Sequence, residues 1–209
     1  GSFLKPFETD INGINSLKHN NYLDILGVVG EMGRTEIWDL KSHQKISGLP
    51  SKEDLILNKY SLSDLSSIEF DKYLMAIGNN DGQTKVYDLR FSNPLYTINH
   101  SYKFPIKAIK FHESSGNIIT VDKKLAKFSN IKTGKTFTNI ESTNEINEFE
   151  SYEGSGMFFT ANESPKMDIF YIPGLGPPPK WCSFLEKITE ELEDEKTFNL
   201  YEDHKFLIM

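Results

Sequence analysis

The residues in this sequence whose type and spacing could do chemistry are lysines. Lys103, Lys107, Lys110, Lys123, Lys124, Lys127, Lys132 and Lys135 stand between residues 100 and 140 against Glu113 and Asp122, a local charge of +6 in a chain of net −7. Ammonium groups gathered on one face would neutralise nucleic-acid phosphates and release their counterions without reading bases. The stretch has no arginine, and lysine is a point charge that cannot make arginine's forked contact, so sequence-specific recognition is not expected. Lys107, Lys110, Lys123, Lys124 and Lys127 are the candidate RNA phosphate contacts. The alternative is a solvated strand surface, on which lysines alternate outward in any case. The flanks are acidic, at −3 over residues 1–99 and −10 over 141–209.

Other chemistries find little footing. The five histidines, His19, His43, His100, His112 and His204, show no metal-ligand spacing, and no local Ser/His/Asp or Cys/His motif is present. Cys182 is the single cysteine. That excludes an internal disulfide and a cysteine-rich metal site, and fits a reducing compartment such as the cytosol or nucleus. No catalytic residue, metal or cofactor is expected. No stretch approaches the roughly 20 consecutive apolar residues of a membrane helix, and no leader segment is expected at the start.

The elements that must position the lysines come from a repeat. Ile37-Trp38-Asp39-Leu40 returns as Val86-Tyr87-Asp88-Leu89. It returns again, worn, as Ala126-Lys127-Phe128-Ser129-Asn130-Ile131 and as Met167-Asp168-Ile169-Phe170-Tyr171-Ile172. At the aromatic position (38, 87, 129, 170) the spacings are 49, 42 and 41 residues. A period of about 40–45 residues closing on a hydrophobic–aromatic–Asp strand marks a four-stranded propeller blade, which buries its faces by stacking on neighbours. The expected fold class is all-β: a partial WD-repeat β-propeller of about four four-stranded antiparallel blades with a C-terminal α-helix. Trp38 and Tyr87 would pack between blades while Asp39 and Asp88 fix turns. Asp81, in Asn79-Asn80-Asp81-Gly82, would hold its hairpin turn by accepting backbone N–H bonds.

Turn signals divide the chain. Residues 1–12 are a lead-in, with Gly1-Ser2 an expression remnant, and blades are expected over 13–49, 64–99, 104–140 and 145–172. Residues 50–63 form an inter-blade loop or insertion, and 173–182 a Gly/Pro crossing that cannot pair inside a sheet. Ser183 and Glu186 offer a capping box for an acidic amphipathic helix over 183–196, followed by a truncated tail over 197–209. Phe184, Leu185, Ile188 and Leu192 share one stripe of that helix. With Trp181 they would either dock a partner or fold back onto the propeller rim. Glu190, Glu191, Glu193, Asp194 and Glu195 crowd the end of the helix that its dipole makes unfavourable for acids.

The run Gly154-Ser155-Gly156-Met157-Phe158-Phe159-Thr160-Ala161-Asn162-Glu163, then Pro165-Lys166-Met167, then Tyr171-Ile172-Pro173-Gly174-Leu175-Gly176-Pro177-Pro178-Pro179-Lys180-Trp181-Cys182-Ser183-Phe184-Leu185-Glu186, resembles one family, nucleolar protein 10 (essential nuclear protein 2 in fungi). Phe104-Pro105-Ile106-Lys107, Phe111-His112-Glu113-Ser114-Ser115-Gly116 and Leu200-Tyr201-Glu202-Asp203-His204-Lys205-Phe206 support the resemblance. It covers roughly 64–206 well and the first blade loosely, and Ser129-Asn130 departs from the usual Trp-Asp. The resemblance implies a non-catalytic scaffold of the small-subunit processome, acting in the nucleus and nucleolus during 18S ribosomal RNA maturation. Its partners would be other processome proteins and pre-rRNA, contacted without sequence specificity. The family's propeller would hold about seven blades, so N-terminal blades and a charged C-terminal region would be missing here. The rival reading is a WD-repeat protein–protein adaptor in ubiquitin ligation or trafficking. Four blades without closure would leave two apolar faces open, through which the chain would self-associate.

Overall fold

The computed structural model describes residues 5–49, 63–182, 184–185 and 207–208. Four antiparallel sheets of four strands follow one another. The first holds β1 (Ile14–Asn20), β2 (Ile25–Gly30), β3 (Thr35–Asp39) and β4 (Gln44–Leu49), and the second β5 (Leu65–Asp71), β6 (Leu74–Asn79), β7 (Gln83–Asp88) and β8 (Pro94–Asn99). The third holds β9 (Ala108–His112), β10 (Asn117–Val121), β11 (Leu125–Asn130) and β12 (Thr136–Glu141). The fourth holds β13 (Ile146–Ser151), β14 (Met157–Asn162), β15 (Met167–Tyr171) and β16 (Leu207–Ile208). The chain forms two compact units, Gly1–Ile109 with the first two sheets and Lys110–Met209 with the last two, the division falling inside β9.

Strand position within each sheet follows the apolar pattern. β2 (ILGVVG), β6 (LMAIGN) and β10 (NIITV) are nearly continuous apolar runs and are mostly buried, as strands covered on both faces must be. β4 and β12 alternate polar residues and lie at the exposed outer edge.

In the first unit Val29 and Ile37 of the first sheet meet Ile68, Met75, Ile77 and Tyr87 of the second. Tyr87 therefore faces the preceding sheet. Trp38, at the same repeat position, points away from the second sheet and would meet water. Instead Phe7 and Ile11 of the lead-in pack against it with Val28, the Phe7 ring edge-on to the indole at 5.3 Å. Polar contacts fix that cover: Glu36, 4% exposed, accepts from the Asp10 backbone N–H (3.0 Å) and from Trp38 Nε1 (3.1 Å), and pairs with Lys45 Nζ (3.1 Å).

In the second unit Phe158 of β14 and Phe170 of β15 pack toward Phe128 of β11. The opposite face of the fourth sheet, carrying Met157, Phe159, Ile169 and Tyr171, is covered by Cys182 and Leu185. The crossing that brings them there passes so close to Gly156 that a Cβ at that position would lie 2.0 Å from the Ile172 carbonyl oxygen. Gly156 also bonds the crossing through its own N–H to Gly176 O (3.3 Å).

The two open apolar faces expected from the sequence are therefore largely covered, by the lead-in in one unit and the crossing in the other. Leu17, on the first sheet's Trp38 face, stays 61% exposed. That covering narrows the apolar surface through which self-association was expected. The fourth sheet also differs from expectation, since its outer strand comes from the stretch read as a tail: Leu207 pairs with Phe170 and Ile208 with Ile169. The edge of β15 carries unpaired backbone groups that such a strand satisfies. Of the expected helix over 183–196, Phe184 and Leu185 are helical; the remainder, like residues 50–62, lies outside the described residues.

Candidate phosphate contacts and docking residues

The repeat's acids hold turns by accepting backbone N–H bonds. Asp39 accepts from the Lys41 N–H (2.8 Å) and the Ser42 hydroxyl (2.9 Å). Asp88 accepts from the Arg90 N–H (3.0 Å) and is gripped by Arg90 Nε (2.9 Å) and an Arg90 terminal nitrogen (2.6 Å). Asn130 does the same in the third sheet, with the N–H groups of Lys132 (2.9 Å) and Thr133 (3.1 Å), so the departure from Asp leaves the turn intact. Asp81 does not hold its turn. Asn79 does, accepting from the N–H groups of Asp81 (3.1 Å) and Gln83 (2.8 Å), while Asp81 is exposed. Asparagine forms such Asx turns as well as aspartate does, and Asn79 is the residue nearer the strand end.

The fork from Arg90 and the backbone bond together lower the Asp88 carboxyl from 3.8 to about 2. A depressed acid stabilises the fold fully above its ordinary pKa, and loses that contribution as pH falls through the lower value. A carbon-13 carboxyl titration should place the Asp88 midpoint near 2, and move it up toward 3.8 in Arg90→Ala. A wild-type midpoint already at 3.8 would contradict the pairing.

The eight lysines do not share one face. Lys123 and Lys124 lie in the turn joining β10 to β11, whereas Lys132 and Lys135 lie in or beside the turn at the other end of β11. The first turn is held by hydrogen bonds on both sides. Asp122, fully buried, accepts from the Lys124 and Leu125 N–H groups at 2.7 Å each. The segment entering the fourth sheet is bonded to it, Ser142 N–H to Lys124 O (2.8 Å) and Ile146 N–H to Lys123 O (2.7 Å). Lys124 is exposed; Lys123 is half-buried, its Nζ 4.0 Å from Glu145. Lys127 on β11 is also half-buried, and burial pulls its ammonium pKa down, partly offset by Asp122. Lys110 on β9 is ion-paired with Glu150. Lys107 is exposed in the first unit, just before β9. The candidate set thus reduces, within the second unit, to a short basic turn.

The histidines divide among unrelated tasks. His112 is buried between the Ser115 hydroxyl (2.7 Å) and the Ser155 carbonyl (3.0 Å), His43 stacks on Phe7, and His19 lies 3.4 Å from Asp24. His100 is buried, and His204 falls outside the described residues. Cys182 is buried in the apolar cluster with Met157, Tyr171 and Leu185. Among the described residues no group of three His, Cys, Asp or Glu side chains stands together as a metal site.

The docking candidates split. Leu185 is 1% exposed and folds back into the unit, while Trp181 and Phe184 point outward at 62% and 57%. Ile188 and Leu192 lie outside the described residues. Tyr152, which the sequence did not single out, stands edge-on to Trp181 at 6.2 Å. Its partner is distant in sequence and no local pattern links them.

Four-stranded antiparallel sheets in chain order, each with a turn-fixing residue at the end of its third strand or an aromatic within it, are the blades of a β-propeller, the class of the matching family model. Among solved structures the chain is similar to the computationally designed Ika4 protein, with a TM-score of 0.68 at 16% identity over 82% of this chain and 99% of that one. It is also similar to Raptor of Chaetomium thermophilum, at 0.63 and 14% over 76% of this chain and 15% of that one. Those likenesses concern the fold alone. The family model described as nucleolar protein 10-like, N-terminal domain, matches residues 1–196, and the chain belongs to that family. Nucleolar protein 10 of Xenopus tropicalis is 38% identical over 211 residues, and that of Homo sapiens 39% over 221. Ribosome biogenesis protein ENP2 of Saccharomyces cerevisiae is 37% identical over 210. Each match covers 99% of this chain but only 31%, 31% and 30% of the relative, so the chain spans about a third of the length of the curated relatives it matches. By these names the family is a nucleolar one.

Proposed function

We propose that this chain is a non-catalytic scaffold of small ribosomal subunit biogenesis in the nucleolus. It binds processome proteins and, through backbone phosphates, precursor ribosomal RNA during 18S maturation. The match over 99% of this chain to a relative named for ribosome biogenesis supports the first half. The observation that carries the second is the turn Asp122–Leu125, where a buried carboxylate and two docked carbonyls hold two lysines in place. Such a turn offers ammonium groups to phosphates without the entropy loss of ordering a loop on contact. It has no arginine fork or base-reading side chain, so affinity is insensitive to RNA sequence.

The test is RNA affinity as a function of salt. Each lysine–phosphate contact to a single strand contributes about 0.7 to the slope of log affinity against log salt. Lys123→Ala with Lys124→Ala should lower that slope by about 1–2 and weaken every RNA sequence alike. Lys132→Ala with Lys135→Ala, at the other end of the sheet, should do neither. Equal slopes in the wild type and the first variant would remove the phosphate reading.

A further inference from the structure

The first unit holds a cavity of about 220 Å³ between its two sheets. Ile37 and Leu49 of the first sheet wall it, with Met75, Tyr87 and Leu89 on the side of the second. That volume is below the roughly 300–1,000 Å³ of sites for drug-sized ligands, so it suits a single side chain of a larger molecule.

Thr35, 2% exposed, lines this cavity and a smaller one of about 30 Å³. Leu49 and Tyr87 also line both, so the two adjoin. The Thr35 hydroxyl is buried and has no hydrogen-bond partner among the described residues. Buried hydroxyls are nearly always paired, because folding strips them of water. Ser67 and Thr84 are buried and unpaired in the same unit, yet line neither cavity. Thr35 is placed where an occupant completes its bonding. A side chain that fills this site must be apolar along its length and polar at its tip, which describes tyrosine. A hydroxyl both donates and accepts, so a phenol at Thr35 satisfies both groups.

Charge at the mouth selects the neighbours of that tyrosine. Among the described residues that line the larger cavity, Arg90 alone is charged. Its side chain is 63% exposed, against 9% for Asp88, its carboxylate partner. Asp88 takes the Nε–H and one terminal N–H, and the Tyr73 ring takes a face of the guanidinium at 5.0 Å. The other donors of the fork remain for a second acceptor. A carboxylate suits those donors, and an ammonium is repelled.

We infer that this cavity is a docking site for a tyrosine flanked by acidic side chains in a partner protein, the phenol hydroxyl bonded to Thr35 Oγ1 and a carboxylate to Arg90. This names one contact of the scaffold reading and rests on it. Direct peptide binding reads the site and co-purification the scaffold role, so either can fail without the other.

The probe is a fluorescein-labelled peptide with one tyrosine between aspartates, titrated into the full-length protein. Comparators of equal length carry phenylalanine or alanine in place of the tyrosine, or lysines in place of the aspartates. The tyrosine–aspartate peptide should bind most tightly. Phenylalanine should cost about three- to tenfold, the equivalent of one hydrogen bond. Alanine should cost more than about tenfold, and lysine flanks about tenfold. Thr35→Val keeps the side-chain shape and removes the unpaired hydroxyl, so it should leave the unfolding temperature unchanged or higher. It should weaken the tyrosine peptide to the level of the phenylalanine peptide, whose own affinity stays as in the wild type. Absence of binding, equal affinity for the tyrosine and phenylalanine peptides, or equal loss of both in Thr35→Val would overturn the inference. So would equal binding of the lysine-flanked peptide.

Discussion

Phe158→Ala should destabilise the second unit by about 3–5 kcal/mol, the largest effect expected of a single truncation here. Phe158 is 1% exposed and meets three other rings: Phe128 at 5.0 Å, Phe149 at 5.6 Å and Phe170, stacked at 5.3 Å. The truncation loses the transfer free energy of the ring and opens a cavity where β11 of the third sheet meets the fourth. Collapse into it is limited, because β14 is hydrogen-bonded on both sides, to β13 and β15. That places the cost toward the upper end of the range. Urea unfolding followed by circular dichroism measures it, with Phe158→Leu as a smaller truncation expected to cost about half as much. A loss under about 1 kcal/mol would mean that the rings are not the core of this unit.

Asp122→Ala should cost about 2–4 kcal/mol, by leaving two turn N–H groups without their acceptor. The carboxylate has no solvent exposure, and its Oδ1 takes both the Lys124 and Leu125 bonds at 2.7 Å. A buried charge of this kind is tolerable because those donors satisfy it. Lys127 lies near enough to feel its field. Asp122→Asn keeps one acceptor oxygen, adds two donors that need partners and removes the charge facing Lys127, so it should fall between wild type and Ala. The turn also presents Lys123 and Lys124, so the Ala variant should bind RNA more weakly than its residual folded fraction accounts for. A variant with wild-type stability would show that the turn stands without its carboxylate.

The propeller was legible because the third strand of each sheet ends in residues with fixed jobs. Asp39 and Asp88 fix turns through the same Asx geometry, and asparagine at 130 does it as well, which is why a worn repeat still folds as a repeat. Asp81 misled for the same physical reason. Asn79 and Asp81 are both Asx residues in one turn, and their order relative to the strand end decides which faces back. What depended on distant contact was not legible. Nothing local says that Phe7 and Ile11 would close over Trp38, that Leu207 and Ile208 would pair with β15, or that Tyr152 would meet Trp181. One helical face implies common burial, yet Leu185 lies inward and Phe184 outward at the first turn. The lysines were visible as a charge excess, but composition cannot say that the two turns flanking β11 point to opposite ends of the sheet.

The central claim is that this propeller serves small-subunit assembly. The most direct measurement is affinity purification of the full-length protein from cells, with sequencing of the bound RNA and identification of the bound proteins. The expected recovery is precursor 18S RNA together with other small-subunit assembly proteins. Recovery of ubiquitin-ligase or trafficking subunits without ribosomal RNA would contradict it, leaving a propeller whose partners lie elsewhere.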